Sequence, residues 1–245
     1  MPETRHTEVE TVSAGVPQEP VAVPEPIRQL AGAAQVRPIW RNELGGTTFA
    51  LGSDRYAKWQ PHTDRHPEHV DLQAEAQRTT WAGRFTAVPQ VLQTGTNDDG
   101  AWLLTAAVSG TSAYHPRWRS EPETAVRAIA VGLRRLHDAL PTDCPFTCRW
   151  AAPGLDSGAE DVVVCHGDPC VPNTLLDRDG RFAAHVDLGQ LGLGERWADL
   201  AIASWSIRWP VNFGRSYDDL FFASYGVTPD PDRIAYYRDL WEAGS

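Results

Sequence analysis

The stretch from Val162 to Gly189 combines acidic and amide side chains with the signals of strands and a turn. Asp168 ends a His-Gly-Asp triplet, Asn173 follows five residues later, and Asp187 stands in Asp-Leu-Gly. One such carboxylate is suited to orient a hydroxyl and accept its proton, while Asn and Asp oxygens suit a hard cation such as Mg²⁺. We therefore interpret this trio as the chemistry of phosphoryl transfer from ATP.

The three side chains converge only if the chain between them folds back on itself. A run of three valines predicts a buried strand that ends at the loop bearing Asp168. The Asp-Gly turn at 179–180 predicts a hairpin, because its flanks have the character of strands. Asn173 opens the first strand of this hairpin and Asp187 ends the second, so both fall at one end, near Asp168. The predicted strands are 162–164, 173–177 and 182–186.

The first half of the chain predicts a tail and then a small β-rich lobe. Residues 1–36 are rich in Pro, Glu and Val without a sustained period, and we interpret them as a disordered tail. Residues 37–108 form the predicted N-lobe. Its elements are three strands between 37 and 60, a helix over 68–82, and strands at 88–92 and 101–107.

The second half predicts a larger, mainly helical C-lobe over residues 109–245. Ser120 and Glu123 have the spacing of a capping box, and an apolar stripe then continues to Leu140, which predicts a core helix. His137 lies beside this stripe, and we expect it to pack. Further predictions are a loop over 141–160, a helix over 197–209 and more helices at the C-terminus.

The composition narrows the class of partner. The formal charge is −10, from 32 acidic and 22 basic residues, which disfavours nucleic acid and anionic membrane and favours a cationic small molecule. With no apolar run of membrane length and no secretory signal, we expect a cytoplasmic protein. The spacing of the four cysteines favours free thiols over a zinc site or a disulfide.

The sequence CHGDPCVPN, followed by DLGQLG and RWADLA, resembles motifs of the aminoglycoside phosphotransferases, and most of all those of their streptomycin 3″-phosphotransferase branch. The resemblance extends from about Arg37 to the C-terminus and is strongest over residues 162–208. It implies an α+β, two-lobed, protein-kinase-like fold. It also implies an ATP- and Mg²⁺-dependent enzyme that phosphorylates a hydroxyl of an aminoglycoside, with streptomycin favoured, as a monomer or weak homodimer.

The resemblance also implies roles for individual residues. Asp168 matches the catalytic aspartate, and Asn173 and Asp187 match the magnesium ligands. Lys58 matches the lysine that contacts the α- and β-phosphates, and Glu75 matches its ion-pair partner.

Other matching positions surround the nucleotide in the family. Gly45, Gly46 and Thr47 fall where the family has its nucleotide-positioning loop. The backbone near Ala107 and Val108 matches the hinge that bonds adenine.

Two further groups complete the expected site. His166 and Asp199 match residues that support the catalytic loop. Glu195, Asp239 and Glu242 are candidates for pairing with a cationic substrate, because carboxylates pair with guanidinium and ammonium groups.

Two departures from the family pattern keep alternatives open. Trp209-Pro210 stands where the kanamycin-modifying branch has acidic residues, which argues against kanamycin. Only about fifteen residues, 147–161, lie before the valine strand, where relatives carry helices of the substrate wall. The alternatives are a kinase of the same fold for another antibiotic, choline or an amino sugar, and a nucleotide-binding pseudokinase. A protein kinase is disfavoured, because no Ala-Pro-Glu-like motif follows Asp187.

Overall fold

The structure is a computed structural model that describes residues 14–62, 71–156 and 161–244. The described residues form two compact units. Unit 1 falls within Met1–Gln73 and Val91–Ala107, and unit 2 within Ala74–Gln90 and Val108–Ser245. Unit 1 is rich in strands and unit 2 is mainly helical, which agrees with the predicted α+β class.

Unit 1 is built on a five-stranded antiparallel sheet with the order β1-β2-β3-β5-β4. Its strands are β1 (Val36–Arg41), β2 (Thr47–Leu51), β3 (Arg55–Pro61), β4 (Val91–Thr96) and β5 (Gly100–Ala106). Phe49, Leu51 and Leu104 bury their side chains in one cluster with Ile27, because alternate residues of a strand point to the same face. Strand β4 begins three residues later than the strand predicted at 88–92.

The prediction of a disordered tail over residues 1–36 differs from the structure in the described part. Residues Glu25–Ala31 form helix α1, with Pro24 before its first turn. Ile27 is fully buried and Ala31 nearly so, so this helix packs against the sheet despite its prolines. Burial of these few apolar side chains outweighs the composition on which the prediction depended. Residues 1–13 lie outside the described residues.

Unit 2 contains two small antiparallel sheets, β10-β7 and β6-β8-β9, among helices. Its elements in chain order are α2 (Leu72–Ala82, which begins in unit 1), β6 (Thr111–Ser112), α3 (Pro116–Ser120), α4 (Pro122–Ala139), α5 (Ala152–Asp156), β7 (Val162–Cys165), β8 (Thr174–Leu176), β9 (Phe182–His185), β10 (Gly192–Glu195), α6 (Arg196–Arg208), α7 (Asp218–Tyr225) and α8 (Pro231–Gly244). The predicted stripe of α4 is buried from Val126 to Leu136, which confirms a core helix.

Most of α2 belongs to unit 2, whereas the sequence assigned it to the N-lobe. Ala82 packs in a buried cluster with Leu136 of α4 and Leu191. Arg78 Nε donates to the carbonyl oxygen of Leu191 at 3.0 Å. These contacts join residues that are far apart in the sequence, so the helical period of α2 could not predict them.

Two local predictions in unit 2 are wrong. Ser120 is the last residue of α3, its hydroxyl donates to Arg117 O, and Glu121 precedes α4, so the predicted capping box does not form. Pro122, however, does occupy the first turn of α4. The predicted loop over 141–160 contains helix α5 in its described part.

All four cysteines are free, as predicted. No helix among the described residues has the length and apolarity to cross a membrane.

Candidate active site

The HGD loop, which we define as residues 166–173, connects β7 to β8 and carries Asp168. It closes with a 3-10 turn, Val171–Asn173, that turns the Asn173 side chain back toward the start of the loop. Asn173 Nδ2 donates to the main-chain oxygen of Asp168 at 2.9 Å and to its Oδ2 at 3.0 Å. The loop therefore holds its aspartate with its own asparagine.

The hairpin after the loop brings Asp187 to the same end. Thr174 of β8 pairs with His185 of β9, and Val186 N–H donates to Asn173 O at 3.0 Å. Asp187 is thus one residue beyond the partner of Asn173, which confirms the predicted hairpin register. Asp187 has a φ of 64°, in the left-handed region that non-glycine residues rarely adopt. Such strain persists only where surrounding contacts impose it, and it clusters at functional sites.

Asp168 lies in an environment that disfavours its charge. Burial raises the pKa of the Asp168 carboxyl, and the nearby Asp187 carboxylate raises it further. Hydrogen bonds from Cys170 and Asn173 act in the opposite direction. A carboxylate with a raised pKa is a better proton acceptor than an ordinary aspartate.

The amide of Asn173 is oriented for a cation. Nδ2 donates two hydrogen bonds to Asp168, so Oδ1 is the atom that can face a metal ion. The Asp187 carboxylate, close enough to raise the pKa of Asp168, supplies further oxygen donors. An amide and a carboxylate oxygen fit Mg²⁺, which takes hard oxygen ligands.

Asp199 of α6 holds the start of the HGD loop through hydrogen bonds. Its side chain is fully buried and accepts from His166 N at 2.6 Å, from Gly167 N at 3.0 Å and from His137 Nε2 at 2.9 Å. His166 Nδ1 accepts from Asp168 N–H at 3.2 Å, so its Nε2 donates to Val186 O at 3.0 Å. Both side chains make the contacts that support of the loop requires.

His137 is buried and continues this network away from the loop. Its Nδ1 lies 2.7 Å from the hydroxyl of Tyr225. His137, Cys165 and Asp199 are also close enough together to surround a metal ion. However, Cys165 Sγ donates to Glu195 O at 3.3 Å, and both Asp199 oxygens already accept hydrogen bonds from the protein. We assign the group to the hydrogen-bonded core.

A second contact from α6 reaches the middle of the HGD loop. Ser206 Oγ accepts from Val171 N–H at 3.1 Å. Asn212 Nδ2 donates to Ser206 O at 2.7 Å and to its Oγ at 3.1 Å, and Asn212 is itself buried. The end of α6 therefore fixes the residues between Asp168 and Asn173.

The predicted nucleotide residues of unit 1 lie on β2, β3 and the turn before β2. Lys58 is on β3, opposite Thr48 and Leu103 of the neighbouring strands. Gly45 has a φ of 81°, and Gly46 N–H donates to Asn42 Oδ1 at 2.7 Å. Thr47, which begins β2, is buried.

The predicted adenine hinge lies at Ala107 and Val108, and the predicted ion-pair partner of Lys58 is Glu75. Ala107 N–H donates to Asp54 O at 2.8 Å, so the Ala107 carbonyl and the backbone of Val108 are the candidate groups of the predicted hinge. Glu75 is buried on α2, 3.9 Å from the position of a Cβ on Gly189. Lys58 belongs to unit 1 and Glu75 to unit 2, and their ion pair stays a prediction.

The three predicted substrate carboxylates differ sharply in exposure. Glu195 is buried at the end of β10, where Oε2 accepts from Tyr237 OH at 2.7 Å and Oε1 pairs with Arg233. These contacts occupy Glu195 within the protein and are unfavourable to a substrate role. Asp239 and Glu242 are exposed on α8, as a substrate contact requires.

The sequence interpretation missed several residues that hold the HGD loop. Trp150 Nε1–H donates to Gly167 O at 2.8 Å, and Ser206 and Asn212 act as described above. Ser206 could have been found from the sequence, because it is a polar residue near the end of the mostly apolar helix α6. Trp150 carried no signal, because its partner is 17 residues away in the sequence, beyond α5 and β7.

Comparisons with known proteins agree with this geometry. The phosphotransferase enzyme family matches residues 147–237. The chain is 32% identical to streptomycin 3″-kinase of Streptomyces griseus, over 82% of this chain and 89% of that protein. A solved structure of aminoglycoside phosphotransferase APH(3″)-Id from Streptomyces rimosus, in complex with ADP and streptomycin, superposes with a TM-score of 0.67 and 29% identity, over 87% of this chain and 94% of that one. An aminoglycoside 3′-phosphotransferase of type VIII has a TM-score of 0.70 and 25% identity, over 89% and 96%. The kinase-like fold is thereby confirmed.

Proposed function

The chain belongs to the aminoglycoside phosphotransferase family, and we propose that it transfers the γ-phosphoryl group of ATP to the 3″-hydroxyl of streptomycin, with Mg²⁺ as its metal ion. The observation that carries the proposal is the HGD loop, in which Asn173 holds Asp168 near Asp187. The similarity to a streptomycin 3″-kinase supports the choice of acceptor. An ATP-dependent reaction also accords with the predicted cytoplasmic location.

Asp168 acts as the proton acceptor in this proposal. Its raised pKa favours uptake of the proton that the acceptor hydroxyl loses as it attacks the phosphorus atom. Asn173 holds the carboxylate in one orientation through Nδ2. Positioning of this kind supplies much of the rate in phosphoryl transfer, which needs little covalent help from the protein.

Asn173 Oδ1 and the Asp187 carboxylate would hold Mg²⁺. When bound, the ion neutralises phosphate charge that develops during transfer. The two ligands flank one hairpin, Asn173 directly before β8 and Asp187 two residues after β9, so the hairpin register fixes their separation. This explains why the strained backbone of Asp187 is tolerated: it aims a ligand.

The nucleotide residues remain part of the proposal. Lys58 would contact the α- and β-phosphates, with Glu75 as its ion-pair partner. Backbone groups of the turn at Gly45-Gly46 would lie along the phosphates, since glycine permits a close approach. The Ala107 carbonyl and Val108 would bond adenine.

Exposed carboxylates on α8 support a cationic acceptor. Asp239 and Glu242 lie three residues apart on one helix, so they occupy neighbouring surface positions. Guanidinium groups pair well with carboxylates, and a net charge of −10 attracts cations in general. The short length of the segment before β7 leaves one alternative function to test, that of a nucleotide-binding pseudokinase.

The test measures ADP release and phosphorylated product with streptomycin, kanamycin or choline as acceptor. We expect streptomycin-dependent turnover that falls by about 10²–10⁴-fold in Asp168→Ala. Asp138→Ala, which removes an exposed carboxylate of α4, is the matched control and should retain activity. Turnover with another acceptor alone would replace the substrate and keep the mechanism. ATP binding without turnover on any acceptor would favour the pseudokinase.

A further inference from the structure

Gly167, the residue before Asp168, is held by both of its backbone polar groups. Its N–H donates to Asp199 Oδ1 at 3.0 Å, and its carbonyl oxygen accepts from Trp150 Nε1–H at 2.8 Å. Its φ is 82°, and an added Cβ would lie 2.3 Å from Gln190 O, so only glycine fits here. Asp199 of α6 therefore holds the peptide group before Gly167, and Trp150 holds the peptide group that leads into Asp168.

Trp150 is itself fixed by helix α8. Its ring packs edge-on against Trp241, with centroids 5.0 Å apart, and against Tyr237 at 6.3 Å. Tyr237 is fully buried and its hydroxyl donates to Glu195 Oε2. Aromatic rings packed in this way keep the indole N–H aimed at one acceptor. The direction of the Trp150 donor is thus set by the helix that also carries Asp239 and Glu242.

We propose that Trp150 is a positioning residue for Asp168, acting through its indole hydrogen bond to the Gly167 carbonyl. The inference rests on the proposed function for the identity of the reaction. The carbonyl of Gly167 belongs to the peptide group whose nitrogen is that of Asp168, so a rotation of this group turns the backbone of the aspartate. Asp199 restrains only the two preceding peptide groups, through His166 N–H and Gly167 N–H.

The expected effect is on turnover rather than on nucleotide affinity. Loss of the donor removes one of two hydrogen bonds on this peptide group and leaves the other, from Asp168 N–H to His166 Nδ1, so the approach of Asp168 to the acceptor hydroxyl is less restrained. Misplacement of a reacting group by about 1 Å costs on the order of 100-fold in rate, so a partial loss of restraint predicts about a tenfold fall in kcat. The predicted contacts of ATP, at Lys58 and the turn at Gly45-Gly46, are not part of this hydrogen bond, so KM for ATP should stay within about twofold.

Trp150→Phe separates the hydrogen bond from the ring packing. Phenylalanine keeps an aromatic ring against Trp241 and lacks the N–H. Trp118→Phe is the matched control, because Trp118 is buried and also donates its indole N–H, to Thr111 Oγ1 at 2.7 Å. We expect the tenfold fall in kcat only in Trp150→Phe, with both variants similar in thermal midpoint. Equal kcat values in the two variants would overturn the proposal.

A second readout stays valid if the acceptor is wrong or the variant does not fold. In the unaltered protein, the Trp150 indole N–H should exchange slowly with solvent in NMR spectra, and free exchange would overturn the inference. In Trp150→Phe, the amide resonances of Gly167 and Asp168 should shift while that of Thr111 does not. Unchanged resonances at both loop residues would refute the positioning role whatever the acceptor, whereas absence of turnover in the unaltered protein would count against the proposed function alone.

Discussion

Replacing Asp199 by asparagine tests how the HGD loop is held, because the substitution keeps the shape of the side chain and removes its charge. The carboxylate is fully buried and accepts three hydrogen bonds, from His166 N, Gly167 N and His137 Nε2. A carboxylate only accepts, whereas an amide carries two N–H donors on one of its two ends. One donor position of the amide must therefore face a donor of the protein.

The cost follows from counting these bonds. If the amide nitrogen takes the position of Oδ1, it meets Gly167 N–H and loses a bond to a charged group, worth about 1.5–3 kcal/mol. If it takes the position of Oδ2, it meets both His166 N–H and His137 Nε2, so the loss is at least as large. The remaining bonds weaken from charged to neutral, by about 1 kcal/mol each. Removal of a buried charge offsets part of this. We expect a net destabilisation of about 3 kcal/mol, which lowers the midpoint by about 6–12 °C in a chain of this size.

The assay is thermal and urea unfolding of Asp199→Asn beside Asp138→Asn. Asp138 is exposed and pairs with Arg134 at 2.7 Å, so its amide variant should change stability by less than about 0.5 kcal/mol. Turnover should also fall in Asp199→Asn, because His166 and Gly167 lose their anchor. The reasoning is refuted if the two variants have the same midpoint, since the three bonds would then contribute nothing.

Three other substitutions have expected outcomes. Burial and Asp187 raise the pKa of Asp168, so the folded protein binds this proton more tightly than the unfolded chain, and ionisation of Asp168 costs stability as the pH rises through that raised value. Asp168→Asn should therefore unfold at a higher temperature than the unaltered protein at pH 7.5 in EDTA, with no gain below pH 3.8. An equal or lower midpoint at pH 7.5 would contradict this. Asp187→Ala should raise the Mg²⁺ concentration for half-maximal turnover at least about tenfold, as the loss of a ligand predicts, and an unaltered magnesium titration would remove Asp187 as a ligand. Gly46→Ala should lower stability by about 1–3 kcal/mol in urea unfolding, because its Cβ would lie 2.1 Å from Gln60 Oε1 and 2.6 Å from Asn42 Nδ2; unchanged stability would mean that these side chains move aside.

The hairpin that carries the candidate site could be predicted because its signals are local. Asp177 Oδ1 accepts from Asp179 N and Arg181 N, and Gly180 has a φ of 79°. A short polar side chain and a glycine thus specify the turn within five residues. Once the turn is fixed, the alternation of the strands determines which residues share an end. That is why Asn173 and Asp187 could be brought together from sequence alone.

Strand β10 could not be predicted, because its residues have low strand propensity. Its sequence, Gly-Leu-Gly-Glu, pairs with β7 in the structure. Glycine is needed in this strand because its backbone lies close to that of Thr147. A Cβ on Gly192 would lie 2.4 Å from the carbonyl carbon of Thr147. The glycines serve a contact with a segment 45 residues earlier, which no local pattern encodes. The internal partners of Glu195 could not be predicted for the same reason, since Tyr237 and Arg233 come from a distant helix.

The short segment before β7 bears on whether the chain is active. If the short length of this segment had removed support from the HGD loop, the loop would have no hydrogen-bond partner within the segment. Instead, Trp150 within this segment donates to Gly167, and Cys148 N–H bonds to Leu193 O of β10, the strand that pairs with β7. The segment has therefore kept the contacts that reach the loop and its supporting sheet. The contacts of Asp168 with Asn173 are also present. This favours an active phosphotransferase over a pseudokinase.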